Sequence, residues 1–283
     1  MLAHSSVLAA GRRHSVGRRG DGTVLAVGNS AAAECRVGQW QDVVAVAAGN
    51  VHTASNTGKS HTVGLRSDGT VLATGWDGDG QCDVARWRGV VAVAAGWRRT
   101  LGLLENGRVL AVGRPTEGQC DVRSWTEVVA VSCGDWHSVG VTADGSALAA
   151  GNNRRGQCAV EGWRDLTAVA AGCLHTVGLR ADGRAVATGE RASGACAVDD
   201  WEDVVALDAG SHHTVGVTAS GGVLAVGHNH DGQCEVGGWS DVVAVTAGST
   251  HTLGLRADGT VVSAGNNADG QCDVDAWSEI RLP

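Results

Sequence analysis

The phrase "A-A-G-x-x-H-T-V-G-L" returns at a nearly constant interval, and this periodicity limits the possible folds more than any other feature of the chain. Its marker glycine stands at Gly11, Gly49, Gly96, Gly134, Gly172, Gly210 and Gly248, so successive copies lie 38, 47, 38, 38, 38 and 38 residues apart. A tryptophan in phrases of the type "W-x-D-V-V-A-V" (Trp40, Trp87, Trp125, Trp163, Trp201, Trp239, Trp277) keeps the same beat. So does a cysteine in "G-Q-C-D-V" (Cys35, Cys82, Cys120, Cys158, Cys196, Cys234, Cys272). Each marker occurs seven times in 283 residues, so the chain is seven copies of one unit. A unit of this length is one supersecondary element that buries its apolar face only against its neighbours. The second copy alone is longer, by nine residues near 50–60, where "AAGNVHTASNTGKSHTVGL" states His-Thr twice.

Within a unit, "VVAVAAG", "HTVGLR" and "TVLAVG" are short, β-branched apolar runs, and no helical period is present. Asp-Gly between two such runs predicts a two-residue type I′ hairpin, whose central positions need positive φ. With "QCDV" taken as a further strand, each unit reads as four short antiparallel strands. Seven four-stranded sheets in succession predict an all-β, seven-bladed β-propeller spanning 1–283 as a single domain. An open solenoid would need atypical terminal repeats, yet the last copy, "HTLGLRADGTVVSAGNNADGQCDVDAW", is among the most regular. The ring closes through its ends: "SVLAAGR" reads as the tail of a first strand and "WSEIRLP" as its beginning. Arg18 stands where other copies carry Leu65, Val141 or Leu255, which predicts a frayed or exposed position in blade 1.

Composition narrows the rest. With 43 glycines, ten tryptophans, two prolines and no Phe or Tyr, alanine and valine must fill the interior. The net charge of −8 argues against general affinity for nucleic acid or anionic membrane. No apolar run approaches the ~18 residues of a membrane span, and the start, "MLAHSSVLAAGRRHSVG", lacks the form of a signal peptide. Equivalent cysteines on neighbouring blades should lie beyond disulfide reach. We therefore expect seven small buried thiols, a buried Cys133 and one reachable thiol, Cys173. Free thiols in this number point to a reducing, cytoplasmic setting. Six histidines recur in register (His14, His61, His137, His175, His213, His251), expected to hydrogen-bond backbone within their own blade; Arg99 replaces the third. "HNHDG" at 228–232 offers two histidines without a visible third ligand, so neither metal nor cofactor is expected.

Successive turns alternate between the two faces of the disc. The Asp-Gly face is nearly uniform, whereas the other face carries the two residues after each marker glycine and the loop before each "GQ", where the copies disagree with one another. Large aromatics and arginines gather there on blades 1 to 4. The candidate binding residues are Arg12, Arg13, Asn50, His52, Lys59, Trp76, Trp97, Arg98, Arg99, Asp135 and Trp136, since exposed Trp and Arg are the common anchors of interfaces. No Gly-x-Ser-x-Gly elbow, P-loop or His-Glu-x-x-His is present, and no catalytic residue is assigned. The leading reading is a non-catalytic monomer that binds a protein partner on this face. The alternative is an enzyme or small-molecule binder using the mouth of the ring, where His52, Asp77, Glu117, Asp135 and His212 would supply acid–base groups and arginines would place an anion.

The full phrase "VVAVAAGxxHTVGLRxDGTVLAVGxNxxGQ" resembles the repeat of the regulator of chromosome condensation family over essentially the whole chain. The compact unit is similar to that of the bacterial propellers of this kind that inhibit β-lactamase. The resemblance implies the propeller fold. From those inhibitory members it further implies that aromatics of the Gly-x-x-His loops and of the loops before Gly-Gln contact a protein target. Trp97, Trp136 and Trp76 occupy such positions.

Overall fold

Every copy folds into one antiparallel sheet, and seven such sheets make up the regular structure of the described residues, 6–49 and 59–282 of this computed structural model. Blade 1 is β1 (Leu8–Ala10), β2 (His14–Arg18) and β3 (Val24–Gly28); blade 2 is β4 (Val43–Ala48), β5 (His61–Arg66) and β6 (Val71–Gly75); blade 3 is β7 (Val90–Gly96), β8 (Arg99–Leu104) and β9 (Val109–Gly113). Blades 4 to 7 repeat the pattern, with inner strands Val128–Cys133, Leu166–Ala171, Val204–Ala209 and Val242–Ala247. Each inner strand contacts the next, and the last touches β1, so the ring is closed. No helix among the described residues is long and apolar enough to cross a membrane.

The sheets have three strands, one fewer than the sequence pattern predicts. "G-Q-C-D-V" spends its backbone on local turns instead. In blade 3, Asp121 N donates to Gly118 O, Val122 N to Cys120 O and Trp125 N to Val122 O. No ladder is left to offer the outer strand. Valines such as Val84, Val122 and Val198 still pin these turns to the core, each at most 1 % exposed.

The hairpins also differ from the expected type. Only the glycine is left-handed (Gly22 φ 83°, Gly69 φ 75°), not the preceding Asp. The loop is one residue longer, closed by Arg19 N to Thr23 O with Gly22 N to Arg19 O inside it, the three-residue turn with a glycine bulge. Asp21 Oδ1 caps it by accepting from Thr23 N and Oγ1.

The termini complete blade 1 as expected. Arg19 bridges to Ile280 as Arg66 pairs with Val43 in blade 2, and Gly20 N donates to Glu279 O as Ser67 N does to Asp42 O. Trp277 and Ile280 then pack with Leu8, Ala10 and Leu255 in one buried cluster. Arg18 is half-buried, not frayed: its guanidinium donates to Val43 O at 2.8 Å and to Arg281 O at 3.3 Å, tying blade 1 to blade 2 and to the C-terminal segment.

Two repeated devices hold blade to blade. Each framework tryptophan lies on the glycine of a neighbouring "HTVGL" strand, so a Cβ on Gly64 would sit 2.7 Å from the Trp40 ring and one on Gly102 2.6 Å from Trp87. The glycine is there because the indole needs its space. The second device is a belt of buried imidazoles. His14 Nε2 pairs with Thr62 Oγ1 (2.9 Å), His61 with Thr100 (2.8 Å), His137 with Thr176 (2.7 Å), His175 with Thr214 (3.1 Å), His213 with Thr252 (3.0 Å) and His251 with Ser15 (2.9 Å). These bonds run to the next blade's hydroxyl, not to backbone of the same blade. Each hydroxyl passes the bond on to a carbonyl, as Thr100 does to Gln81 O. Burial holds all six imidazoles neutral, pushing His14 and His175 down to about 4 and the others to about 3.

Candidate functional site

The loop face is shaped by the ring of marker glycines. A Cβ on Gly134 would meet Gly172 O at 2.0 Å, one on Gly210 would meet Gly248 O at 2.2 Å and one on Gly248 would meet Gly11 O at 2.5 Å. Only glycine lets the inner strands converge this closely. The residues immediately after the glycines are consequently drawn inward: Arg12, Trp97, Asp135, Cys173, Ser211 and Ser249 are all buried, at most 5 % exposed. Arg12 feels the charge of Asp135, three blades away around the ring, as well as that of Asp269. Among the described residues, six blades thus turn a buried side chain inward on this face, forming a plug. Cys173, expected to be reachable, belongs to this plug at 3 % exposure, and burial beside Asp135 pushes its thiol far up.

Around Trp97 of this plug, three blades contribute to one stacked cluster. The Arg98 guanidinium lies 4.5 Å from the Trp76 ring and 4.8 Å from the Trp97 ring. Arg114 covers Trp97 at 5.0 Å, and Trp97 meets Trp136 edge to face at 4.3 Å. Arg98 also faces Asp79 at 3.4 Å. Its backbone is left-handed (φ 60°), a conformation costing a non-glycine residue about 1 kcal/mol. Blade 3 differs here from its sisters: β7 runs on to Gly96, which pairs with Arg99, leaving Trp97-Arg98 as a two-residue loop. Cation–π stacking on two indoles offsets that strain. Trp76, Trp136 and Arg98 are partly exposed; Trp97, the centre of the stack, is not.

The remaining candidates are scattered. Arg99 is no surface residue: it is 0 % exposed and stands in the imidazole belt, donating to Ser138 Oγ at 3.0 Å, Asp135 O at 3.0 Å, Gly134 O at 2.8 Å and His137 O. Arg13 is partly exposed and pairs with Asp269 at 3.4 Å. Lys59 is exposed, while Asn50 and His52 lie outside the described residues. Asp77 caps its own loop by accepting from Cys82 N at 2.7 Å. At Glu117 burial is the largest single influence and pushes upward, but hydrogen bonds from Arg114 and Gln119 outweigh it and hold the carboxyl below its usual range. His212 lies on blade 6 beside His228, their rings 5.1 Å apart, with His230 5.5 Å beyond. Among the described residues no group of three metal-ligating side chains comes together. Asp77, Glu117, Asp135 and His212 belong to blades 2, 3, 4 and 6, and of these four Asp135 alone is buried.

The cysteines play a quieter part. Among the described residues all are free thiols. The repeated ones are mostly half-buried, not fully so, and donate to a carbonyl six residues back, as Cys158 does to Asn152 O at 3.4 Å and Cys196 to Glu190 O at 3.4 Å. Desolvation pushes Cys82 up to about 12 and Cys35, Cys120, Cys158 and Cys234 to about 11.

A cavity lies beneath the plug. It measures about 470 Å³ and is walled by the seven inner strands, reaching Val205, Val243 and Leu282 at the Asp-Gly face. None of Asp77, Glu117, Asp135 and His212 lines it. Asp208 does, and it is the one charged residue in the wall among the described residues. Sequence could have flagged it, since blades 1, 2, 3 and 5 carry Ala9, Ala47, Ala94 and Ala170 at that position.

Comparison with known proteins bears on the architecture. The family model for the regulator of chromosome condensation (RCC1) repeat matches residues 56–81, 90–119, 128–157, 204–233 and 242–271. A search of curated proteins by sequence found no match. Among solved structures, the CRINKLY WD40 ectodomain of the Arabidopsis thaliana receptor kinase ACR4 superposes with a TM-score of 0.72 at 16% identity, covering 93% of this chain and 98% of that one. Prp20p of Saccharomyces cerevisiae, described with its binding to Gsp1p and histones, gives 0.69 at 16% identity, covering 94% and 83%. Human WBSCR16 gives 0.70 at 18% identity, covering 94% and 87%. At these identities the likeness speaks for the fold alone.

Proposed function

Because the chain belongs to the regulator of chromosome condensation (RCC1) repeat family, a family of propellers put to varied uses, we propose that it is a non-catalytic propeller that recognises a protein partner on its loop face. The observation that carries this reading is the Trp76–Arg98–Trp97–Trp136 stack, in which a strained arginine lies between the partly exposed Trp76 and the buried Trp97, with Trp136 partly exposed beside it. Aromatics and arginine are the residues that dominate interface energies, chiefly when rigid before binding. That Prp20p, a propeller of similar fold, binds Gsp1p and histones gives the reading a precedent.

The test is affinity capture from extract of the native cell, quantified for wild type against Trp136→Ala and Arg98→Ala. These residues are partly exposed, so their truncation spares the buried Trp97. A protein held by wild type and depleted at least tenfold by both variants supports the reading. Identical protein profiles for all three would overturn it.

A further inference from the structure

The channel beneath the plug is a second place where this protein can bind something, on the opposite side from the loop face. It falls in the 300–1,000 Å³ range of small-molecule sites. Its walls have two kinds of chemistry. The inner strand of each sheet is an edge strand, paired only to the middle strand, so backbone carbonyls and amides turn toward the axis. The entrance is apolar: Val205 is 50 % exposed, Val243 37 % and Leu282 47 %, with Val91 and Val129 at the same register position, each 39 %.

Deep in this channel stands Asp208. It lies three residues in from Val205, roughly 10 Å along an extended strand, and one residue short of the constriction that begins at Ala209 and Gly210. Its Oδ1 accepts from Ala209 N at 2.8 Å; its Oδ2 accepts from Thr246 Oγ1 and Ala247 N, both at 2.9 Å. These three donors are neutral. No Lys, Arg or His lines the channel among the described residues, so this carboxylate has no cation near it there, and burial raises its pKa. A carboxylate has room for about four acceptor contacts, which leaves Oδ1 with capacity for one more donor. Blades 1, 2, 3 and 5 manage the same position with alanine, so the acid is not demanded by the fold.

We propose that the channel binds a primary ammonium compound with a slender apolar body. The ammonium is seated against Asp208 and the neighbouring strand-edge carbonyls, and the apolar body extends to the valine-rimmed entrance. An ammonium supplies three donors and the missing positive charge, and the carbonyl edges accept what Asp208 does not. A carboxylate or phosphate ligand would be repelled by the same group. This inference does not depend on the loop face having a protein partner.

The experiment titrates the full chain at pH 7.5 and low ionic strength with n-octylammonium, and in parallel with neutral 1-octanol, by isothermal calorimetry and saturation-transfer NMR. Wild type should bind octylammonium at one site at least tenfold more tightly than octanol. Asp208→Ala, which installs the residue of four sister blades, should lose at least tenfold for octylammonium while octanol binding changes less than about twofold. Retained octanol binding and an unchanged melting curve show that the channel survives. If that variant does not fold, Asp208→Asn takes its place with the same expectation. Equal affinity of wild type for the amine and the alcohol, or equal affinity of wild type and variant for the amine, would overturn the proposal, as would no binding of the amine.

Discussion

Lowering the pH should unfold this protein early and with an unusual uptake of protons, because the imidazole belt is built to stay neutral. Six histidines are fully buried, and each folded-state value lies below the ordinary 6.5, at about 4 for His14 and His175 and about 3 for His61, His137, His213 and His251. Desolvation is the main cause throughout, and the Arg99 charge adds to it at His61 and His137. Between pH 6.5 and about 4 the unfolded chain therefore binds more protons than the folded one. Stability is complete above pH 6.5 and is lost as pH falls. At pH 5 each imidazole contributes about 2 kcal/mol against the fold, from 1.5 pH units at 1.36 kcal/mol per unit. Six together approach about 12 kcal/mol, comparable with the 5–15 kcal/mol that holds most proteins folded. Asp208, whose value is raised by burial, works in the opposite direction but is a single group. The turn carboxylates Asp21, Asp68, Asp144 and Asp258, held low by Thr and Ser hydrogen bonds, matter only at lower pH. Tryptophan emission and far-UV circular dichroism against pH should show a transition centred near pH 5, and urea midpoints measured across pH 5 to 7 should yield an uptake of four to six protons by linkage, where six histidines set the ceiling. His175→Gln should lower that uptake by about one. A native signal retained at pH 4.5, or an uptake near one proton, would refute the reasoning.

Two further expectations concern the belt and the thiols. Arg99→Ala strips donors from Ser138 Oγ and three buried carbonyls, so urea denaturation should show a loss of about 3 kcal/mol or more; Arg99→His, the residue of six sister blades, should recover part of it, and an unaffected Arg99→Ala would show the belt to be dispensable there. Reaction with Ellman's reagent at pH 8 should be slow for the native protein and should reach nine thiols per chain only in denaturant, because a thiolate is needed and burial pushes the thiols up, Cys82 to about 12 and Cys173 further; a native thiol reacting as fast as free cysteine would contradict the burial.

Much of this architecture is legible without coordinates, because a repeat is self-interpreting. Seven glycines, seven tryptophans and seven cysteines on one beat leave a closed ring of blades as the consistent solution, and the split first blade follows from its two halves at the termini. Local chemistry was less legible. That "QCDV" turns instead of pairing depends on which carbonyls are free nearby. The Asp-Gly loops take one residue more than the dipeptide suggests because the turn is capped by the Asp side chain.

The candidate site divides along the same line. That blade 3 and its neighbours carry Trp and Arg is written in the sequence. Which of those side chains meet solvent is not, because among the described residues the glycine ring draws the residue after it inward in six blades. Arg12, Trp97, Asp135 and Cys173 go inward with it, and Arg99 is claimed by the imidazole belt. Burial in a ring depends on what the neighbouring blade presents, and a neighbour 38 residues away is adjacent only after closure. Residue type and period, which are local properties, therefore determined the blades and their number. The tertiary structure alone decided which loop-face residues are buried, the channel opening on the opposite face, and the placing of Asp208 inside it.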